Sequence, residues 1–227
     1  WIGSEGSKIE EARYIPPPHN LLPELVGDME KFCNEKLKLP PLIRCAMLHY
    51  QFEAIHPYLD GNGRIGRLLI TLHLHATGVM PKPLLYLSAY FEKNRQLYYD
   101  QLFNLSVTGD WEAWLSYVFK GVNEQALDAI ARIRAARNLQ DQIHSELQEQ
   151  HETANAMRLV DEFFSTPYMR IGTAAKHLGV THAGARGILD RLLSLGIIEE
   201  VPNEWPKVYV ARRLLSVIDE RYPTASS

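Results

Sequence analysis

Cysteine is scarce in this chain: Cys33 and Cys45 are the only two in 227 residues. That excludes a small disulfide-stapled scaffold. Both thiols fall in apolar helical pattern and are expected to be buried and reduced. Charge of one sign is also lacking. The formal net charge is −3, so no overall basic field draws the chain to nucleic acid or to a membrane surface. No apolar run approaches the length of a membrane span and no signal-peptide pattern opens the sequence, so the expected location is cytoplasmic, with no membrane partner. Internal repeats and low-complexity tracts are absent, which excludes a solenoid. What remains is 46% apolar, an ordinary globular composition, with length for one mid-sized domain and a small one.

The informative stretch is residues 55–70, Ile-His-Pro-Tyr-Leu-Asp-Gly-Asn-Gly-Arg-Ile-Gly-Arg-Leu-Leu-Ile. Leu42 to Ile55 before it is apolar almost all round and reads as a buried helix. Pro57 ends that helix, because a residue before proline is pushed out of the α region, and turns His56 into a loop. Asp60-Gly61-Asn62-Gly63 tolerates the positive φ angles of a tight turn. Ile65, Leu68, Leu69 and Leu72 then recur at helical spacing and start a second helix. A helix N-terminus offers unpaired N–H groups and partial positive charge, and the glycines let a phosphate approach. Arg64 and Arg67 share one face and add two fixed cations. Asp60 is a hard oxygen ligand suited to Mg²⁺, and His56 is a general base near neutral pH. For any one piece alone a turn between core helices, with an incidental His and Asp, is the favoured reading. Their conjunction fits phosphoryl or nucleotidyl transfer.

His56-Pro57-Tyr58-Leu59-Asp60-Gly61-Asn62-Gly63-Arg64-Ile65-Gly66-Arg67 resembles the signature of the Fic family, H-P-F-x-[D/E]-G-N-[G/K]-R-x-x-R, departing from it at Tyr58, where Phe is commoner. The resemblance implies AMP transfer from ATP to a Tyr, Ser or Thr hydroxyl of a target protein, and of the chain itself. It implies His56 as the base and Asp60 as the Mg²⁺ ligand. Gly61, Asn62, Gly63 and Gly66 would cradle phosphate oxygens, and Arg64 and Arg67 would bind the β and γ phosphates. Fic proteins are similar at the N-terminus too: Trp1-Ile2-Gly3 and Arg13-Tyr14-Ile15 resemble the arms of a β-hairpin flap that docks the target as an added strand, followed by Pro16-Pro17-Pro18. A disordered tail is the plainer alternative.

Leu21 to Leu37 reads as an amphipathic helix, and Gly78 ends the second motif helix, with His73 and His75 as core or surface residues. Ser88 caps a helix expected over residues 89–106. Tyr99 on it resembles the Fic tyrosine that lines the adenine pocket; ordinary aromatic core is the alternative. Gly109 and Asp110 separate it from a helix whose buried face is Trp111, Trp114, Leu115, Val118, Phe119 and Val122. Residues 124–150 form an exposed connector or contact arm. The most polar stretch follows, so the boundary is placed there: residues 1–150 a Fic domain, 151–227 a second domain. Residues 171–178 and 181–195 read as helix-turn-helix. Two strands follow, over residues 196–201 and 207–210, as in a winged helix.

The expected architecture is therefore mainly α: a Fic helical bundle with a flap, plus a small winged helix. A Fic-fold phosphocholine transferase competes with the AMP transferase. So does a DNA-binding regulator with an idle Fic domain, which the intact His56, Asp60, Asn62 and both arginines argue against. Some Fic proteins are held off by a helix carrying [S/T]-x-x-x-E-[G/N], whose glutamate pairs with the second motif arginine, here Arg67. Ala12 breaks that pattern at Ser7 to Glu11, and the start at Trp1 leads to the expectation of a fragment whose inhibitory helix lies upstream. The would-be recognition face, His182, Ala183, Arg186 and Asp190, holds one fixed cation, so a packing or homodimer module is expected there over a DNA-binding one. The second domain is expected to bind duplex DNA weakly and only at low salt. Nanomolar anisotropy binding to a defined sequence at physiological salt overturns this.

Overall fold

A computed structural model describes residues 8, 10, 12–35, 38–82 and 85–218. The expected flap residues Trp1, Ile2 and Gly3 lie outside them. The chain is mainly α-helical and divides into two compact units, Trp1–Ala129 and Ile130–Ser227. No helix among the described residues is long and apolar enough to cross a membrane.

The first unit holds α1 (Leu22–Asn34), α2 (Pro41–Ile55), α3 (Asn62–Ala76), α4 (Leu87–Lys93), α5 (Arg95–Thr108) and the start of α6 (Trp111–Glu149). Pro41 opens α2, where its missing N–H costs nothing. Cys45, Ala46, Leu48, Phe52 and Ile55 of α2 are buried. Cys33 is exposed, contrary to expectation, because it lies on the outer side of α1, which buries no residue fully. On α3 the buried seam is Asn62, Gly66, Ile70, His73 and Leu74. Leu68 and Leu72, expected on the apolar face, are exposed. The seam is set by small and polar residues that fit against α2, so a count of leucines places the face wrongly.

The single helix expected over residues 89–106 is two. Asn94 breaks it at φ −113°, ψ 36°, and its side-chain amide donates to the Tyr90 carbonyl at 2.9 Å. Asn competes for the backbone in this way wherever it leaves a helix. Ser88 lies inside α4 rather than at its cap, which is Tyr86. Gly109 at φ 71° ends α5, and the Asp110 carboxylate accepts from the Ala113 N–H at 3.0 Å to cap α6, as expected. Trp114 is fully buried, and its indole N–H donates to the Ala46 carbonyl at 3.1 Å. Tyr90, Phe91, Tyr98 and Tyr117 pack around it. Trp111, expected on the same face, is partly exposed at its edge.

The second unit begins within α6. Ile143 and Leu147 are buried in its core, which is why the division falls inside the helix rather than at its polar end. Its other elements are α7 (Ala154–Ser165), β1 (Tyr168–Arg170), α8 (Ile171–Leu178), α9 (His182–Ser194), β2 (Glu199–Glu200), β3 (Val208–Val210) and α10 (Arg212–Ile218). Gly179 at φ 68° turns α8, and the Thr181 hydroxyl accepts from the Gly184 N–H at 3.1 Å to start α9. The strands pair antiparallel in the order β1-β3-β2, with Met169 opposite Tyr209 and Glu199 opposite Val210. β1 has no alternating pattern to announce it; three residues suffice because β3 supplies its partner. Arg186 lies 3.9 Å from Asp190 on the exposed side of α9.

Trp114→Ala is expected to cost about 3–5 kcal/mol, the usual penalty for emptying a fully buried aromatic site. Chemical denaturation followed by near-ultraviolet circular dichroism checks it. A loss below 1 kcal/mol, on the order of a surface change, contradicts the placement.

Candidate active site

The site forms where α2 stops. His56 caps α2 in the left-handed region, φ 50°, ψ 56°, with its N–H still bonded to the Phe52 carbonyl at 3.0 Å. A non-glycine residue there is strained and persists only where its surroundings hold it. Pro57 prevents the helix from continuing. His56 Nδ1 lies 3.3 Å from the Glu53 carbonyl oxygen. A carbonyl only accepts, so Nδ1 carries the proton and Nε2 presents a lone pair. Burial pushes the imidazole below its ordinary pKa, opposed by that hydrogen bond. Near neutral pH the ring is a neutral base.

The loop is closed by Asn62. Its carboxamide oxygen accepts from the Tyr58 N–H at 2.9 Å, and its amide donates to the Tyr58 carbonyl at 2.6 Å. With the side chain buried and both ends engaged, Asn62 holds the turn; its backbone N–H, not its carboxamide, is available to an anion. Tyr58 is exposed, which frees its hydroxyl of the need for a buried partner. Gly61 at φ 86° precedes α3, whose N-terminus has no side-chain cap. The first N–H groups of α3 therefore point out of the turn unpaired by any side chain, as an anion site requires. Asp60 accepts from the Gly61 N–H at 2.6 Å and lies 3.1 Å from Arg64 Nη2, both side chains largely in solvent. Among the described residues no group of three His, Cys, Asp or Glu could hold a metal ion. A lone carboxylate beside a phosphate nest is still the donor set Mg²⁺ uses when the phosphates complete its shell.

A cavity of about 470 Å³ opens beside this turn. His56, Gly63, Arg67 and Tyr99 line it together. Asp60, Gly61, Arg64 and Gly66 are not in its wall. Gly66 is packed instead under α2: a methyl group there would overlap Glu53 Oε1 and sit 3.1 Å from Phe52. Tyr99 carries the Arg95 guanidinium 5.7 Å from its ring centre, and Tyr50, Leu102 and Phe103 add apolar surface to the lining. The wall thus combines aromatic surface with a base, arginines and the first turn of α3.

Residues outside the motif also line or support this cavity. His49 is fully buried; its Nδ1 is 3.1 Å from the Gly66 carbonyl and its Nε2 3.0 Å from the Tyr98 hydroxyl. Burial pushes His49 down to about 4. Glu53 lines the cavity, and burial pushes its carboxyl up to about 7, against the pull of Arg67 and the Tyr98 hydroxyl. Arg13 pairs with Asp100, and the Tyr14 hydroxyl donates to the Ala54 carbonyl at 2.8 Å, which pins the N-terminal segment to the cavity rim. A signal for two of them was in the sequence. His49, Glu53 and His56 stand at i, i+4, i+7 along a mostly apolar helix and its cap, one polar stripe on one face.

Residues 3–74 match the family model described as Fic/DOC family. The chain is 32% identical over 69 residues to the probable protein adenylyltransferase aq_aa38 of Aquifex aeolicus, covering 30% of this chain and 22% of that one. It is 30% identical over 124 residues to the protein adenylyltransferase Fic of Aedes aegypti, covering 54% and 23%. Against the protein adenylyltransferase fic-1 of Caenorhabditis elegans it is 29% identical over 116 residues, covering 50% and 22%. The chain thus matches about a quarter of the length of these curated relatives or less. A crystal structure of a Fic family protein from Desulfovibrio desulfuricans G20 aligns at TM-score 0.46 and 21% identity, over 86% of this chain and 56% of that one.

Gly66→Ala forces Glu53 or Phe52 to move, and overpacking of this kind costs about 1–3 kcal/mol. Gly63→Ala meets only the mobile end of Arg67 at 3.1 Å and should cost less. Paired urea melts check the order; equal stabilities contradict the packing described here.

Proposed function

We propose that this chain is a protein adenylyltransferase that moves AMP from ATP to a hydroxyl of a target protein. The observation that carries the reading is the cavity itself: a neutral imidazole with a free Nε2, the first turn of an uncapped helix and Arg67 share its wall with an aromatic surface. The match of residues 3–74 to the Fic/DOC family and the names of the relatives support it.

In this reading the adenine lies along Tyr99 and its apolar neighbours, and the phosphates run toward α3. The N–H groups of the α3 first turn and Arg67 bind the phosphates, with Arg64 approaching from the solvent side. The target hydroxyl oxygen attacks the α-phosphorus and its proton passes to His56 Nε2. The bond from the α-phosphorus to the bridging oxygen breaks, and pyrophosphate leaves under the charge of the arginines. Asp60 would hold Mg²⁺, which supplies charge neutralisation of the phosphates when bound. Asn62 and Gly66 act on the backbone: Asn62 fixes the turn and Gly66 lets α3 approach α2. The target is read as a chain docked on the N-terminal segment that Arg13 and Tyr14 anchor. The second unit, with its helix, turn, helix and two strands, is read as a winged helix that packs against protein; the pairing of Arg186 with Asp190 leaves its exposed face nearly neutral.

Incubation with α-labelled ATP, Mg²⁺ and cell lysate should put label on protein. His56→Ala is expected to lower transfer by about 10²-fold or more, the usual worth of a general base, while nucleotide still binds. Asp60→Ala should lower transfer and flatten its Mg²⁺ dependence. A His56→Ala variant that keeps most of its activity removes the base from the mechanism.

A further inference from the structure

Two hydroxyls in the cavity wall have no part in the transfer chemistry. Tyr50 comes from α2 and Ser106 from α5, and their oxygens lie 3.0 Å apart. Either could donate to the other, and the surroundings decide which does. The Ser106 oxygen is also 3.0 Å from the Leu102 carbonyl, one turn back on α5. A carbonyl only accepts, so the single Ser106 proton is spent there. Tyr50 must then donate to Ser106. With both protons used inside the protein, the pair turns only lone pairs to the cavity.

The neighbouring groups do not undo that count. The Leu102, Phe103 and Ala54 side chains beside the pair are apolar. The Tyr14 hydroxyl spends its own proton on the Ala54 carbonyl. The Arg13 and Arg95 guanidinium groups are held at Asp100 and over the Tyr99 ring. Asp100 stands six residues before Ser106 on α5, about 9 Å along a helix. The Tyr50 ring is packed edge-on against Trp111, 5.3 Å between centres, and lies 6.2 Å from the buried Trp114. Its hydroxyl is thus presented by a fixed ring.

Tyr99, Phe103 and Ser106 stand at i, i+4, i+7 on α5 and share one face, so a base lying along Tyr99 extends toward the pair. On α2, Tyr50 is six residues before His56, again about 9 Å of helix rise. The chemistry of a purine nucleotide fixes which group arrives there. Position 6 lies across the ring system from N9, which carries the ribose and the phosphates. Adenine has an amino group at that position, a donor. Guanine and hypoxanthine have an oxo group, an acceptor.

On the reading of this cavity as a nucleotide site, we propose that the Tyr50–Ser106 pair determines base specificity: its lone pairs accept from the 6-amino group of adenine and oppose the 6-oxo group of guanine or hypoxanthine. An oxo group would be desolvated against lone pairs, the means by which a site rejects an analogue that lacks the matching donor. Ser106 sets the direction of the pair. Removing its oxygen leaves the Tyr50 proton without its acceptor, and that proton then turns to the cavity as a donor.

The test is calorimetric titration of the full chain with ADP and with IDP, in Mg²⁺, because the two differ at position 6. The parent is expected to bind IDP about tenfold more weakly, on the order of one hydrogen bond. Ser106→Ala should bind IDP more tightly than the parent does, by up to about tenfold, while ADP weakens. Alanine at an exposed helix position preserves the fold. Tyr50→Phe frees no proton and should bind IDP no more tightly than the parent. A merely structural role for the pair would weaken both nucleotides together and give no gain of IDP. Equal binding of ADP and IDP by the parent, no gain of IDP in Ser106→Ala, or a gain in Tyr50→Phe each overturns this inference and leaves the transferase reading intact. Failure of the parent to bind ADP, ATP and IDP overturns both.

Discussion

His49 is the side chain on which the geometry of the first unit turns. It sits on α2, bonds the backbone of α3 at Gly66 and the hydroxyl of Tyr98 on α5, and stacks on Phe91 at 5.4 Å between ring centres. Three helices are registered by one imidazole with both nitrogens satisfied. A buried polar group of this kind is costly if a partner is lost, which makes the arrangement selective: a shift of either neighbouring helix orphans a nitrogen. Leucine could fill the same volume but would tolerate sliding. The turn that carries His56 hangs from the ends of α2 and α3, so its geometry inherits whatever precision this junction has.

Two further constraints carry that precision outward. Gly66 lets α3 come close enough for its carbonyl to reach His49, and the same closeness buries the Glu53 carboxyl. One turn earlier on α3, Asn62 ties the Tyr58 backbone at both its N–H and its carbonyl. The left-handed conformation at His56 is therefore held from two sides, by α2 behind it and by the Asn62 clasp ahead of it. The strain there fixes the direction in which Nε2 points, which a flexible loop residue could not guarantee.

Much of this was legible in the sequence, and the parts that were not share a cause. The end of α2 at Pro57, the start of α3 after Gly61, the stop at Gly109 and the cap at Asp110 all follow from residues whose backbone demands are local. Arg67, Gly63, His56 and Tyr99 lining one cavity follows from helical spacing once three helices are known to pack. Asn62 and Gly66 were readable as motif positions, but not their work, which lies in contacts with Tyr58 and Glu53 across the turn and between helices. The break at Asn94 was hidden because a single asparagine in a long helical pattern is tolerated as often as not. The buried face of α3 was misplaced because apolar periodicity assumes that large residues go inside. Here the inside of α3 is built for close approach, and Leu68 and Leu72 are left outside.

The same close approach sets the electrostatics of the site. Burying His49 and Glu53 side by side moves their proton affinities in opposite directions, the imidazole down and the carboxyl up, because desolvation disfavours whichever form is charged. Both changes push toward neutrality, so the junction beneath the cavity holds little fixed charge of its own. Arg67 lines the cavity as a fixed charge, where the lower dielectric makes a charge interaction stronger than at the solvated Arg64. Two arginines three residues apart on one helix thus become unequal: Arg64 is in solvent and paired with Asp60, whereas Arg67 lines the cavity.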